Sequence, residues 1–395
     1  MNSNWIPTRR AALERLSDFL PWAGLHYRDQ RNYDFGPDSR ENVSGLSPYF
    51  SHRILLEEEA VSVVLREHAF DAAEKFLQEI FWRTYWKGWL AQRPSVWHRY
   101  QEEVEQLQRE PDTRYQDAVS GRTGIECFDV WVRELIETGY LHNHARMWFA
   151  SIWIFTLELP WQLGAAFFYR HLLDADPASN TLGWRWVAGL QTRGKHYVAR
   201  AENIRRFTGG RFDPAGQLNE HAQPLSEAKT DPLLALPEPD FPSDGMRSVW
   251  LLFADDLRGT LPESSRVSAQ GAACVEAPSA VSRCDRARAF SHGAALDALA
   301  RLRDEGVDGV EASPVSVAAA VEWVVGHRAE QVIMLEAYVG PAAEQQERVA
   351  AELKQRGVRV CRVQREWERR LYPHATRGFF AFKAQLPQVA AAREV

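Results

Sequence analysis

Five prolines, Pro224, Pro232, Pro237, Pro239 and Pro242, fall between Gln217 and Gly245 among polar and acidic residues. Proline lacks a backbone donor and blocks helix continuation, so residues 217–245 read as a linker. The sequence changes period across it. Before the linker, Leu13, Leu16, Phe19 and Leu20 recur at helical spacing. So do Val61, Val64, Leu65, Ala69, Ala72, Phe76, Leu77 and Ile80, and later Ile125, Phe128, Trp131, Val132, Leu135 and Ile136. From Gly24 to Tyr49, with Gly36, Pro37, Gly45 and Pro48, the chain reads as loop. After the linker, Ser248–Ala254, Gln331–Leu335 and Arg359–Val363 have strand length. They alternate with helix-like stretches at Phe290–Arg303, Val315–Val325 and Ala342–Arg356, which predicts a parallel sheet covered by helices. The expected fold class is mostly α plus α/β: an all-helical domain over 1–216, then a parallel-sheet domain over 246–395.

Composition narrows the function classes. With 45% hydrophobic and 25% charged residues over 395, the chain is globular and large enough for more than one domain. A net charge of −6 argues against gripping nucleic acid by bulk charge alone. Residues 1–215 carry 26 Lys plus Arg against 28 Asp plus Glu, a net of −2. The one basic run is Arg185, Arg193, Lys195, Arg200, Arg205, Arg206 and Arg211, a candidate nucleic-acid strip or a solvated helix face. The apolar run Trp148–Trp161 is too short to span a bilayer and contains Glu158. Residues 1–5 carry no signal-peptide core, and a cytoplasmic protein without membrane partners is expected. Cys127, Cys274, Cys284 and Cys361 form no Cys-x-x-Cys pair, and the i, i+2 spacing of His142 and His144 does not put both on one helical face. No metal site is expected. No phosphate-binding GxGxxG or GxxxxGK[ST] string occurs after the linker.

Twelve of the 15 tryptophans precede residue 190. Filling a helical core is the common use of such rings. Several are interleaved with polar residues in ways that packing alone does not require. Asp174-Ala175-Asp176-Pro177-Ala178-Ser179-Asn180 leads into Trp184 and Trp186. Asp176-Pro177 reads as a helix start, with the aspartate as cap, and in an extended segment the two tryptophans would point to opposite sides. In Leu141–Met147, Asn143 and Met147 share a helix face while Arg146 points elsewhere. Glu79 and Arg83, at i, i+4, have the spacing of an ordinary ion pair. Val43-Ser44-Gly45-Leu46-Ser47-Pro48 offers hydroxyls and backbone donors of the kind that cradle phosphate.

In this order, these segments resemble the helical FAD-binding domain of the photolyase–cryptochrome family over roughly Pro7 to Phe212. The resemblance implies FAD as cofactor. Tyr27, with Arg31 and Asn32, is similar to the entry of the flavin site. Ser44, Leu46 and Ser47 match the phosphate loop, with Val43 and Gly45 replacing a threonine and an arginine. Arg83 matches a flavin-contacting arginine, Arg146 and Asp174 the ion pair beside the isoalloxazine ring, Asp176 a second ring-side carboxylate, and Asn180 the amide facing flavin N5. Trp184 and Trp161 stand where the family keeps its electron-relay tryptophans, and Trp97 is the candidate for an exposed outermost member. Glu79, Trp82, Asn143, Met147 and Trp186 match the residues that hold a flipped pyrimidine dimer in damaged, including single-stranded, DNA. The (6-4) repair branch has other residues at the positions of Asn143 and Met147.

The resemblance therefore implies light-driven electron transfer from reduced FAD to a cyclobutane dimer, with Glu79, Asn180 and the relay tryptophans as catalytic residues. The competing expectation is a cryptochrome-like photoreceptor that binds FAD without repair. Two departures weigh against repair: Val187–Lys195 does not match the family, and His144 replaces a basic arginine. The stretch Ser248–Arg258 is similar to the opening of the family's Rossmann-like α/β antenna domain, which usually comes first. Its position here implies circular permutation and leaves room for a second, antenna chromophore.

Overall fold

The structure, a computed structural model, describes residues 5–109, 113–192, 194–228, 231–265, 267–277 and 283–387. Helices fill the chain up to Phe207. They run α1 Arg9–Phe19, α2 Leu25–Gln30, α3 Ser47–Ser51, α4 Glu57–Glu67, α5 Phe70–Ala91 and α6 Ser95–Leu107. Then come α7 Thr113–Val119, α8 Glu126–Thr138, α9 Asn143–Ser151, α10 Trp161–His171, α11 Pro177–Ala188 and α12 Ala201–Phe207. The apolar pattern from Val61 to Ile80 is divided between α4 and α5, because His68 and Ala69 turn extended and break the hydrogen-bond ladder. The stretch 24–49 is not all loop: it holds α2 and the start of α3, helices too short to show a period of their own.

The second half is β1 Ser248–Leu252, β2 Ala269–Cys274, α13 Asp285–Asp304, α14 Val317–Gly326, β3 Gln331–Leu335, α15 Pro341–Gln355, β4 Arg359–Val363, α16 Glu366–Leu371 and α17 Phe379–Lys383. The four strands form one parallel sheet in the order β2-β1-β3-β4, with Trp250 beside Ile333 and Ile333 beside Cys361. Strand β2, rich in alanine and glycine, lacked the β-branched signature by which the other three were read.

Apolar packing binds the halves together. One core cluster joins Phe19, Phe76 and Phe81 of the helices to Trp250, Phe290, Trp367 and Phe382 of the second half. Another, drawn from the first half, is built round Trp131, Trp148 and Trp153, all fully buried, with Val339 of the second half packed against it. A third lies between the sheet and α14 and α15. The C-terminal helices return to α5, so closely that a Cβ on Gly88 would meet the backbone of Tyr372 at 3.0 Å. The proline-rich stretch is irregular but docked: Glu227 pairs with Arg185, Asp231 with Arg99, and Leu234 N donates to Gln92 O.

The carboxyl ends of the strands face the helices. Asp256, after β1, takes Arg365 through two bonds of 2.6 Å and Arg53 at 3.3 Å, while Arg53 also reaches Glu368 at 2.6 Å. Parallel sheets bind ligands in the crevice where strand order diverges, here between β1 and β3. That crevice, lined by Trp250–Phe253, Asp255, Asp256, Gly259 and Leu335, leaves 10 Å³, room for about one water.

Candidate functional site

The site grows from the start of α11. Asp176 is its N-cap: Oδ1 accepts from Ala178 N at 3.0 Å and Ser179 N at 2.9 Å. Its other oxygen meets Arg83 Nη1 at 2.5 Å. Arg83 also reaches Glu57 at 3.1 Å and donates to Phe50 O at 2.8 Å, tying α5 to α3 and the start of α4. Burial pushes the Asp176 carboxyl up, but Arg83 and Lys87 outweigh it and hold it below the usual range. Glu79 does not pair with Arg83, as their spacing had suggested; it stands 4.0 Å from Arg31.

A second ion pair lies beside the first. Arg146 bonds Asp174 through both nitrogens, at 3.1 and 2.8 Å, and its Nε donates to Leu141 O. Asp174 is buried, whereas Arg146 keeps 24% of its side chain accessible. Asn180, on α11, commits Nδ2 to Ala165 O at 2.8 Å and so turns Oδ1 into the free acceptor of the amide.

The loop before α3 closes a third side. Gly45 sits at φ +59°, and Ser44 Oγ accepts from Leu46 N. Leu46 is buried and Ser47 is half-buried at the first position of α3. Trp5, which the motifs did not point to, donates to Gly45 O at 2.8 Å and stacks on Tyr140 at 4.9 Å. Tyr27 is buried edge-on against Phe19 and Phe76.

Helix α11, which carries Trp186, packs against both α5, which carries Glu79 and Trp82, and α9, which carries Asn143 and Met147. Glu79 is accessible over 40% of its side chain. Burial nonetheless raises its pKa, with Arg31 and Lys75 opposing. Asn143 is exposed at the start of α9, and Met147 is half-buried. Trp186 is half-buried and faces Tyr197 at 6.0 Å. Trp82 is not free to stack on a base: Phe379 of α17 lies 3.5 Å from it at 9°, and Trp86 lies 5.1 Å away.

The tryptophans matched to an electron relay are placed differently from expectation. Residues 174–186 are not extended at the tryptophans: Trp184 and Trp186 lie within α11, because the Asp176 cap starts a helix that runs to Ala188. Trp184 is packed so flat on α10 that a Cβ on Gly164 would meet its ring at 2.3 Å. Its ring neighbours include Phe168 at 5.1 Å and Trp153 at 6.1 Å. Trp161 meets Tyr100 at 5.6 Å, and Tyr100 meets Trp97 at 5.5 Å. Trp97 is buried, with Nε1 on Glu344, so it is not an exposed outermost member. Among the basic run, Arg185 pairs with Glu227, Arg205 with Asp213 and Arg211 with Asp34, while Arg193 lies outside the described residues.

Two further charged groups enter the site. Lys87, one turn beyond Arg83 on α5, and Asp255, after β1, are partly accessible yet strongly desolvated. Burial lowers the lysine and raises the aspartate. The ladder Glu79–Arg83–Lys87, at i, i+4 and i+8, was the sequence signal for Lys87.

Arg83, Lys87 and Arg146 are each only partly buried, and the polar groups gathered here suit FAD. Arg146, Arg83 and Lys87 supply positive charge, Asn180 Oδ1 an acceptor suited to an N–H, and Trp184 Nε1 is buried with no partner among the described residues.

Residues 76–230 match the model of the FAD-binding domain of DNA photolyase. A deoxyribodipyrimidine photo-lyase of Thermus thermophilus is 33% identical over 240 residues, 59% of this chain and 54% of the relative. That of Vibrio cholerae is 28% identical over 220 residues, 54% of this chain and 45% of the relative. The chain thus spans about half the length of these relatives. Among solved structures, a class III photolyase from Agrobacterium tumefaciens aligns at 28% identity with a TM-score of 0.45, over 52% of this chain and 43% of that one.

Proposed function

We propose that this chain, which belongs through its helical half to the photolyase–cryptochrome family, repairs cyclobutane pyrimidine dimers in DNA under blue light. Bound FAD supplies light absorption and the electron that splits the dimer. The protein supplies position and electrostatics. Arg146, held by Asp174 and Leu141 O, and Arg83, held by Asp176 and Glu57, fix positive charge for the cofactor without reorganisation. Asn180 holds its Oδ1 as an acceptor for a flavin N–H.

The observation that carries the reading is Glu79, an accessible carboxyl whose pKa is raised by desolvation above the ordinary glutamate value, against the opposing charges of Arg31 and Lys75. A protonated carboxyl donates a hydrogen bond to a pyrimidine carbonyl, which a carboxylate cannot. Asn143 and Met147 supply the rest of the pocket edge, and Trp186 a ring face. We read residues 1–216 as the FAD-binding domain, 217–245 as the linker and 246–395 as a permuted α/β domain. Its support is the sheet that follows the helices and the Asp255–Arg258 turn after β1.

A second reading, a photoreceptor without repair, is favoured by Phe379 against Trp82 and by the pairing of Arg185, Arg205 and Arg211 of the basic run. The test is a repair assay on FAD-loaded, pre-reduced protein with a single-stranded oligonucleotide carrying one thymine dimer. Thymines restored in light and not in darkness support repair. Flavin that is bound and photoreducible, with no restoration, leaves the receptor.

A further inference from the structure

Arg283 is carried by the connection between β2 and α13, yet its guanidinium lies among the helices of the first half. Nη1 donates to Tyr169 O at 2.5 Å and Nη2 to Leu172 O at 2.9 Å, and the group sits 5.0 Å over the Tyr169 ring. Next to it, Cys284 N donates to Arg170 O at 2.8 Å. These carbonyls end α10, just before Asp174. Helix C-termini attract cations, so capping explains why a basic residue stands there.

Capping does not explain the charge balance. Among the described residues no carboxylate oxygen is recorded in an ion pair with Arg283. The acidic group that it feels, Asp174, is already held by both nitrogens of Arg146. Its charge also reaches His52, beside α3, whose pKa is held at about 4 by burial first and by Arg283 second, so that ring is neutral. Arg283 is itself only half-buried, so its side chain keeps some accessible surface. A largely desolvated guanidinium with no carboxylate paired to it among the described residues thus lies within electrostatic reach of His52, next to α3, and of Asp174, at the start of the Asp174–Asn180 stretch, both beside segments expected to hold FAD. Such a charge is stable when an anion meets it.

Resting on the FAD reading above, we propose that Arg283 is a cofactor contact contributed by the α/β half, where it balances negative charge on bound FAD. FAD carries such charge on its diphosphate and, when reduced, at the N1–C2 carbonyl edge of the flavin. Either contact makes cofactor loading depend on both halves of the chain.

The test is titration of the apoprotein with FAD and with riboflavin, followed by flavin fluorescence, for the parent, Arg283→Gln, Arg283→Lys and the exposed control Arg286→Gln. Arg283→Gln is expected to weaken FAD roughly tenfold or more, as loss of a charge-assisted bond does. Arg283→Lys falls between, and Arg286→Gln leaves affinity unchanged. Riboflavin binding left intact assigns the diphosphate. Riboflavin weakened alike, with a more negative flavin potential, assigns the flavin edge. FAD affinity equal to the parent's, with only the apoprotein melting temperature lowered, reduces Arg283 to a helix cap and overturns the proposal. Should Arg283→Gln fail to fold, hydrogen exchange on the parent decides: FAD must protect amides near Cys284–Phe290, and no protection there overturns it. A parent that takes up no FAD at all refutes the FAD reading itself, a separate outcome.

Discussion

The ring of Phe379 lies against the ring of Trp82 with centroids 3.5 Å apart and planes 9° from parallel. Trp82 sits on α5 beside the candidate substrate pocket, and Phe379 comes from the last described helix of the α/β half. The contact fills the surface on which a base would stack. Its anchors are firm: Phe382 and Leu386 are buried, and Lys383 pairs with Glu74 at 2.7 Å.

Replacing Phe379 with alanine therefore has two expected effects. Loss of a buried ring lowers stability by about 3 kcal/mol, read by urea unfolding. In protein that remains folded, the exposed Trp82 raises the preference for a dimer-bearing strand over an undamaged one in a filter-binding assay. An unchanged preference means that Trp82 does not belong to the lesion pocket.

Asp176 offers a cleaner separation of cap from charge. Asparagine caps a helix about as well as aspartate, so Asp176→Asn preserves the bonds to Ala178 N and Ser179 N in kind. What it removes is the charge facing Arg83. Breaking one partner of a buried pair costs about 3 kcal/mol, moderated here because Glu57 still serves Arg83. The pH dependence has a definite sign. The folded-state pKa of Asp176 is lowered, so its stabilisation is present above the unfolded aspartate range and is lost as pH falls through the folded value. Urea unfolding at neutral and at acid pH should show the gap between parent and Asp176→Asn closing in acid. A gap constant with pH means the variant acts through packing.

The same residues show how far sequence carries. The Asp176 cap, the helices at Arg9–Phe19 and Glu126–Thr138 and the strands Gln331–Leu335 and Arg359–Val363 follow from local rules, since capping and periodicity are properties of a few neighbouring residues. Strand β2 escapes those rules because small residues pair through backbone alone. Trp5 over Gly45, Phe379 on Trp82 and Arg283 at the end of α10 join positions 40 to nearly 300 residues apart. Nothing local encodes them. Trp97 is instructive in another way: as a candidate outermost member it was expected to be exposed, and only the packing of α6 on α10 shows the ring enclosed.

Glu79 predicts a pH dependence of binding. Burial raises its pKa, so the protonated form persists above the ordinary carboxylate range. Dimer affinity should fall as pH rises through that raised value, where the donor proton is lost. Glu79→Gln keeps a donor at every pH, and its binding curve should be flat over the same range. A parent curve as flat as the variant's removes Glu79 from lesion recognition.

The tryptophans separate by photoreduction of bound FAD. An electron relay needs rings in sequence, each close to the next and the last near solvent. Trp184 is the candidate first member: it lies on α11 against Gly164 of α10, with Trp153 6.1 Å away. Trp184→Phe should slow photoreduction by roughly tenfold or more, since it raises the barrier of the first step. Trp97 is a weaker candidate, because Tyr100 stands between it and Trp161 and Trp97 itself is enclosed. Trp97→Phe should leave the rate near that of the parent, while Trp161→Phe reports whether the matched middle position carries the electron. Flash photolysis of the three variants distinguishes these outcomes. A Trp97→Phe protein as slow as Trp184→Phe would restore Trp97 to the relay. A Trp184→Phe protein as fast as the parent would place the first donor elsewhere in the aromatic core.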